Sequence, residues 1–512
     1  MIGLFVGVIL LVVSGPVMAQ ETSLVDILQA KGVLSKKEAQ ELKKGKGESG
    51  SYDQQALVNL LQEKGILTSS DLTQLQTPAT AATPSAAALT SPQVTQWLTH
   101  LESRQAELQA QAQVQAEQQS KAVVADVKKN IDWLSRFSFF GDIRVRQEGF
   151  YQDGVDARNR QRFRLRVGAR LTVSEELEGG LRLVSGNPNE ISANNQTMTD
   201  VFTRKPINID QAYITIRPGK TLGLEKPFFS LTGGKFSVPF FRPRAIMGSE
   251  LVFDEDLAPE GFYQDITLLE GKSTDVVRSI KLVSSQWAAQ ENANAYDSYM
   301  LGEQLQVLFA PTEKSQLTFA AADYYFVHAG AIAQARNTNS SLVLTNSVVL
   351  RNGQIVPGGS PITPSNQNPI QRFWGGFNVL NVGAQWAIDT GYPRWPFTMM
   401  VDFAHNFQAK SGEDNAYLVG VGVGQTRNPG DWAFSAAWNR VETDSVISMF
   451  TLSDFGRNGG TNVQGPIVKI DYLLLPRLTL TTKGYFVNFV DRPKGMLNSA
   501  VNRIQFDAQF AF

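Results

Sequence analysis

Six arginines occupy alternate positions between residues 158 and 170: Arg158, Arg160, Arg162, Arg164, Arg166 and Arg170 interleave with Phe163, Leu165, Val167, Ala169 and Leu171. Successive side chains of a strand point to opposite faces, so the guanidiniums share one face and the apolar chains the other. Arg144 and Arg146, beside Ile143 and Val145, and Arg182, between Leu181 and Leu183, extend the pattern to neighbouring segments. Rows of like charge on paired strands repel one another. Such a basic wall therefore needs water, anions or opposed carboxylates, and the chemistry it offers is the steering of charged and polar solutes by a field. Residues 238–260 supply an acidic counterpart in Glu250, Asp254, Glu255, Asp256 and Glu260. Glu250, Asp254, Glu255 and Asp256 stand across from the arginines if that loop folds inward, and are solvated or hold divalent cations if it lies outside.

Bond-making chemistry finds few candidates. The chain has three histidines, His100, His328 and His405, each isolated in sequence, and an isolated imidazole without convergent partners is more often structural than catalytic. Cysteine is absent, which rules out disulfides, thiolate metal sites, thiol nucleophiles and a lipidated N-terminal cysteine. A formal net charge of -1 gives no basic surplus for nucleic acid. The reading is a non-enzyme with no catalytic residue, no metal and no cofactor.

The elements that position the charges follow from periodicity. From Phe137 onward, alternation at period two prevails, with turn-forming clusters between the runs. Strands are expected near 137–150, 158–173, 178–186, 207–217, 227–238, 261–270, 276–288, 299–310, 315–328, 373–388, 396–408, 416–426, 431–443, 463–474, 477–490 and 502–512. Short connections such as Ser174-Glu-Glu, Gly271-Lys-Ser-Thr, Asn428-Pro-Gly and the bend at Pro476 alternate with long ones at 187–206, 239–260, 329–372 and 444–462. That sorting belongs to a transmembrane β-barrel, with short turns on one side and long loops on the other. After the first twenty residues no uncharged apolar run approaches the ~20 residues that a spanning helix needs. The fold expected is an all-β membrane protein, a 16-stranded antiparallel transmembrane β-barrel over 137–512. A charged residue on the lipid face costs roughly 2 to 4 kcal/mol at the bilayer midplane, so the arginine row must face a wet lumen.

Residues 1–19 read as a signal peptide, with an apolar core from Ile2 to Val13 and small residues before Gln20, although no Lys or Arg precedes that core. Two related segments follow at a spacing of 33, Leu24–Glu38 and Leu57–Asp71. In each, a short helix stops at Gly32 or Gly65, and a new one starts where Ser35 or Thr68 caps and Glu38 or Asp71 answers three residues later. Residues 20–76 thus form two helical hairpin repeats. Residues 77–92 are an Ala, Thr, Ser and Pro linker, and 93–135 a helix suited to a short coiled coil. This helical N-terminal segment is expected in the periplasm, as a spacer or as a grip on peptidoglycan or a partner.

The segments Ile209-Asp-Gln-Ala-Tyr-Ile-Thr-Ile-Arg-Pro218, Leu231-Thr-Gly-Gly-Lys-Phe-Ser-Val-Pro-Phe240 and Phe253-Asp-Glu-Asp-Leu-Ala-Pro-Glu-Gly261 resemble the putative porin family of Gram-negative bacteria, over most of residues 137–512. Gly-Gly-Lys-Phe is also similar to an element of phosphate-selective porins. The alternating stretch from Arg503 to Phe512 resembles the closing strand of outer-membrane barrels, whose terminal phenylalanine is an assembly signal for the barrel assembly machinery. The resemblance implies passive diffusion through a homotrimer in outer-membrane lipid, and the general porin pattern implies that the loop bearing Glu250, Asp254, Glu255 and Asp256 folds inward to face the arginines. Together with the arginine-lined wall, the function expected is the passage of small hydrophilic solutes or ions, with anions favoured. The alternative is an outer-membrane anchor whose N-terminal region tethers the barrel to peptidoglycan or a periplasmic partner.

Overall fold

The computed structural model describes residues 29, 34–44, 54–63, 103–104, 133–291, 296–456, 459–493, 495 and 501–512. The chain divides into two compact units, Met1–Ile131 and Asp132–Phe512.

The second unit is built from the alternation read in the sequence. Its main sheet joins seventeen strands, one of them the two-residue piece Gln196–Thr197, which pairs beside Arg162 and Phe163. The sixteen others run in order as β1 (Phe137–Gln152), β2 (Val155–Thr172), β3 (Leu177–Ser185), β4 (Ile207–Ile216), β5 (Phe229–Lys235), β6 (Glu260–Glu270), β7 (Val277–Gln290) and β8 (Ser298–Thr312). They continue as β9 (Ser315–Val327), β10 (Phe377–Ile388), β11 (Phe397–Asn406), β12 (Asn415–Gly424), β13 (Trp432–Val441), β14 (Val463–Leu475), β15 (Leu478–Phe489) and β16 (Val501–Ala511). Each strand pairs antiparallel with the next, and β16 returns to β1 in a register running from Asp142 opposite Ala511 to Tyr151 opposite Asn502. The sheet is closed and has no free edge.

Alternation sets which face each residue takes. On β8, Ser298, Met300, Gly302 and Gln304 are buried while Tyr299, Leu301 and Leu305 are exposed. The outward band is apolar, including Ile143, Val145, Val167, Leu181, Val401, Val419, Phe506 and Phe510. Charge interrupts it where Glu303 of β8 and Asp323 of β9 lie directly opposite each other, both exposed on the outward face. Gln264 and Gln286 on the same side of β6 and β7 hydrogen-bond to each other at 3.1 Å.

The expected strands differ from the observed ones mainly at their long-loop ends. The segment expected over 227–238 stops at Lys235, because the chain turns inward at Phe236, which is 2% exposed. The segment expected over 373–388 starts at Phe377, because Ile370–Phe373 pairs instead with Val348–Leu350 in a small separate sheet. At the seam, Phe512 donates its backbone N–H to Gly141 O and Gly141 donates to Phe512 O, both at 3.0 Å. The Phe512 ring lies over Gly141, where a Cβ would come within 2.6 Å of it.

In the first unit, α1 (Lys36–Lys44) opens with the reciprocal cap expected from the repeat. Glu38 N donates to Ser35 Oγ at 3.3 Å and Ser35 N donates to Glu38 Oε2 at 2.7 Å. Helix α2 (Gln54–Glu63) buries Leu57 and Leu61, four residues apart and so on one face. Gly32, Gly65, Thr68 and Asp71, the signal peptide and the linker at 77–92 lie outside the described residues, as does nearly all of the helix expected over 93–135.

Candidate functional site: a charged lumen crossed by three loops

Strands β1, β2 and β16 bring the arginines together on the inward face. Arg144 stands opposite Arg164, Arg146 opposite Arg162, Asp142 opposite Arg166 and Glu148 opposite Arg160. Like charges directly opposite are unfavourable, and carboxylates set among them offset the repulsion. Asp142 accepts from Arg164 Nη2 at 2.8 Å and from Arg166 Nε at 2.6 Å. Asp507 of β16 takes both Nε and Nη2 of Arg146, at 2.7 and 2.8 Å. Glu148, fully buried, pairs with Arg160 and with Arg503 Nη2 at 2.7 Å, and lies 3.6 Å from Arg162. Arg182 pairs with Asp210 of β4. Arg170 sits apart, half exposed and 3.3 Å from Glu178.

This wall is therefore mixed in charge, its carboxylates interleaved with the arginines on the same strands as well as facing them from a loop. The signal was available in the parity of the sequence: Asp142 and Glu148 share the phase of Arg144 and Arg146, and Asp507 that of Arg503.

Residues 236–259, the second long connection, fold into the barrel and cross it. Phe241 N donates to Gln304 Oε1 of β8 at 2.6 Å, Arg244 N to Gln385 Oε1 of β10 at 2.9 Å, and Ser249 Oγ to Asp402 Oδ2 of β11 at 2.5 Å. Glycine makes the close approach possible: a Cβ on Gly383 would meet Pro243, and one on Gly422 would meet Ile246, both at 2.7 Å.

Of the four expected acids, Asp256 alone reaches the arginines, its Oδ1 lying 3.8 Å from Nη1 of both Arg164 and Arg166. Burial raises the Asp256 carboxyl, but Arg164, Arg166 and Arg144 together outweigh it and hold the group below its ordinary value. Asp254 instead fastens another loop, accepting from Ser453 N at 2.8 Å. Burial, with Glu250 and Asp256 nearby, pushes it well up. Glu250 accepts from Glu255 N at 2.9 Å, and burial raises it to about 7 against the pull of Lys483. Glu255 pairs with Arg244 at 3.5 Å.

Two further loops turn inward, which local periodicity did not indicate. Residues 328–376 carry α3 (Gly330–Ala335) and the small three-stranded sheet, and residues 442–462 lock onto them. Asn346 Nδ2 donates to Thr443 O at 2.7 Å and to Val446 O at 2.8 Å, and Ser347 N donates to Asp444 Oδ1 at 2.8 Å. From the second of these loops Asp454 reaches the wall, 3.1 Å from Arg146 Nη1 and 2.6 Å from Arg503 Nη2. Burial opposes its charge, yet Arg503 and Arg146 hold it well below the carboxylate range. The one hint in the sequence was apolar residues in a long connection, Val446, Ile447, Met449, Phe450, Leu452 and Phe455.

Phe240, Phe253, Trp287 and Tyr324 form an aromatic cluster between loop and wall, with centroids 4.8 to 6.3 Å apart. Two cavities lie between the loops and the wall. One of about 510 Å³ is lined by Asn194, Asp210, Asp256, Trp287 and Phe326 among others. The other, about 320 Å³, is lined by Arg160, Arg162, Arg336 and Arg503 among others. Glu190, Ile191, Leu342 and Met449 border both. His328 and His405 contact Asp297 O at 3.2 Å and Asn415 Oδ1 at 3.0 Å, while His100 lies outside the described residues.

Several solved structures are similar to this chain at low sequence identity. OprB of Pseudomonas putida is 12% identical, with a TM-score of 0.46 over 75% of this chain and 96% of that one. OmpF of Salmonella typhi is 7% identical, with a TM-score of 0.41 over 73% and 97%. The outer membrane channel DcaP of Acinetobacter baumannii is 10% identical, with a TM-score of 0.40 over 73% and 97%. No curated protein matches the sequence. The family model described as "Putative porin" matches residues 150–357 and 376–512, two thirds of the chain, and the protein belongs to that porin family of outer-membrane channels.

Proposed function

We propose that this channel passes small hydrophilic solutes by passive diffusion through the wet spaces between its inward loops and the arginine-bearing wall, with a weak preference for anions. The observation that carries this reading is the inward charged wall itself. Eight guanidiniums, on Arg144, Arg146, Arg160, Arg162, Arg164, Arg166, Arg182 and Arg503, meet seven carboxylates, on Asp142, Glu148, Glu190, Asp210, Asp256, Asp454 and Asp507. The surplus is one positive charge, and a field so nearly balanced orients dipolar solutes more than it selects ions. In planar bilayers the protein gives stepwise conductance, with a reversal potential in a KCl gradient displaced slightly to the anion side. Replacing Arg162, Arg164 and Arg166 together with Gln turns the surplus negative and moves the reversal potential toward cations. Silent insertion, or an unmoved potential in the triple variant, refutes the reading.

The assembly proposed is a homotrimer in outer-membrane lipid. Glu303 and Asp323 support it, since an outward carboxylate pair is better covered by a second copy than by acyl chains. A periplasmic place for the N-terminal unit, its role as spacer or peptidoglycan contact, and the part of Phe512 in assembly by the barrel machinery belong to the same proposal.

A further inference from the structure

The cavity of about 320 Å³ holds more hydrogen-bond donors than its surroundings satisfy. Arg503 is fully engaged, its guanidinium donating to Glu148 Oε2, Asp454 O and Asp454 Oδ1 at 2.6 to 3.2 Å. Arg162 is different. Its Nη2 donates to Asn195 O at 2.8 Å, but its Nε is buried without an acceptor, on a side chain 6% exposed. Arg336, on the loop after α3, repeats the pattern: Nη1 reaches Asn339 O at 3.5 Å, and its buried Nε has no acceptor. Arg160 borders the same space, with its Nε on Glu148. One orphaned guanidinium N–H thus comes from the wall and another from a loop, both at one cavity.

Buried donors without partners are unfavourable, and an acceptor in the cavity toward which these side chains turn would relieve them. The lining acids, Glu190 and Asp454, are outnumbered by the four arginines, so the acceptor that fits carries negative charge. A planar guanidinium fork matches an oxyanion better than a spherical halide, because two oxygens accept two N–H groups in parallel.

We propose that this cavity is a docking site for the oxyanion group of a small solute, a phosphate, sulfonate or carboxylate, held transiently during passage. The proposal deepens the diffusion-channel reading and rests on it. Arg336 is the residue for the test, because it lies on a loop and takes no part in the ion pairs of the wall.

Two measurements on the full-length protein separate the outcomes. In planar bilayers in KCl, added inorganic phosphate reduces the chloride current saturably. R336Q raises the half-blocking concentration about tenfold, as expected for one lost hydrogen bond to a charged group, and R336K restores part of the loss. Equilibrium dialysis of radiolabelled phosphate against the detergent-solubilised protein reports binding whether or not current flows. Open channels with no saturable block, or equal block in R336Q and wild type, overturn the docking site and leave the diffusion channel standing. Phosphate binding lost in R336Q without any conductance overturns the diffusion channel and upholds the site. No binding in dialysis overturns the site outright.

Discussion

Asp256 shows how much a single carboxylate organises in this lumen. It joins the end of the inward loop 236–259 to the arginine row, and at 3.8 Å from both Arg164 and Arg166 it acts by charge more than by hydrogen bonding. Removing the charge by D256N should therefore cost about 2 kcal/mol, less than the roughly 3 to 5 kcal/mol lost when a fully buried, well-bonded pair is broken. The expected outcome is a lower unfolding temperature in detergent together with noisier, larger single-channel currents as the loop loses its anchor. Glu250 makes a pH-dependent contribution on the same loop. Its folded value of about 7 lies above the ordinary 4.5, so the folded protein binds the proton more tightly. That contribution to loop docking is complete below pH 4.5 and is lost as pH rises through about 7. Protease nicking of the loop 236–259 should accordingly increase from pH 5 to pH 8 in the wild type, and E250Q should flatten that rise. An identical rise in E250Q would show that another group carries it.

At the scale of elements, the strands were the legible part, since a closed membrane sheet sorts every side chain to oil or water and leaves period two in the chain. All sixteen segments read between Phe137 and Phe512 form strands of the barrel. The arginine row of β2 could be oriented from sequence for the same reason. The interlocking of residues 328–376 with 442–462 was not legible, because contacts such as Asn346 to Thr443 join residues about a hundred positions apart with no local period. The sequence also suggested Glu250, Asp254 and Glu255 as partners of the arginines, whereas loop curvature directs them to Glu255 N, Ser453 N and Arg244. The pair Glu303 and Asp323 tests an element in its setting. If a second copy covers this part of β8 and β9, cysteine introduced at Glu303 should cross-link copies into oligomers in native membranes. Exclusively monomeric product would place the two carboxylates against lipid.

For the whole molecule, the account depends on how one closed sheet divides its surroundings. Apolar side chains such as Val167 face out, while charges from β1, β2 and β16 meet the inward loops in a nearly balanced interior. The loops narrow the lumen, and the cavities they leave are bordered by groups from both wall and loop. The chain has no cysteine, so single cysteines can be placed without background. The most direct test is a nitroxide scan of residues 160–171 in lipid bilayers, recording collision with oxygen, which concentrates among acyl chains, and with a water-soluble nickel chelate. The account predicts a two-residue period with oxygen maxima at residues 163, 165, 167, 169 and 171. Oxygen maxima at the arginine positions, or no period at all, would contradict it.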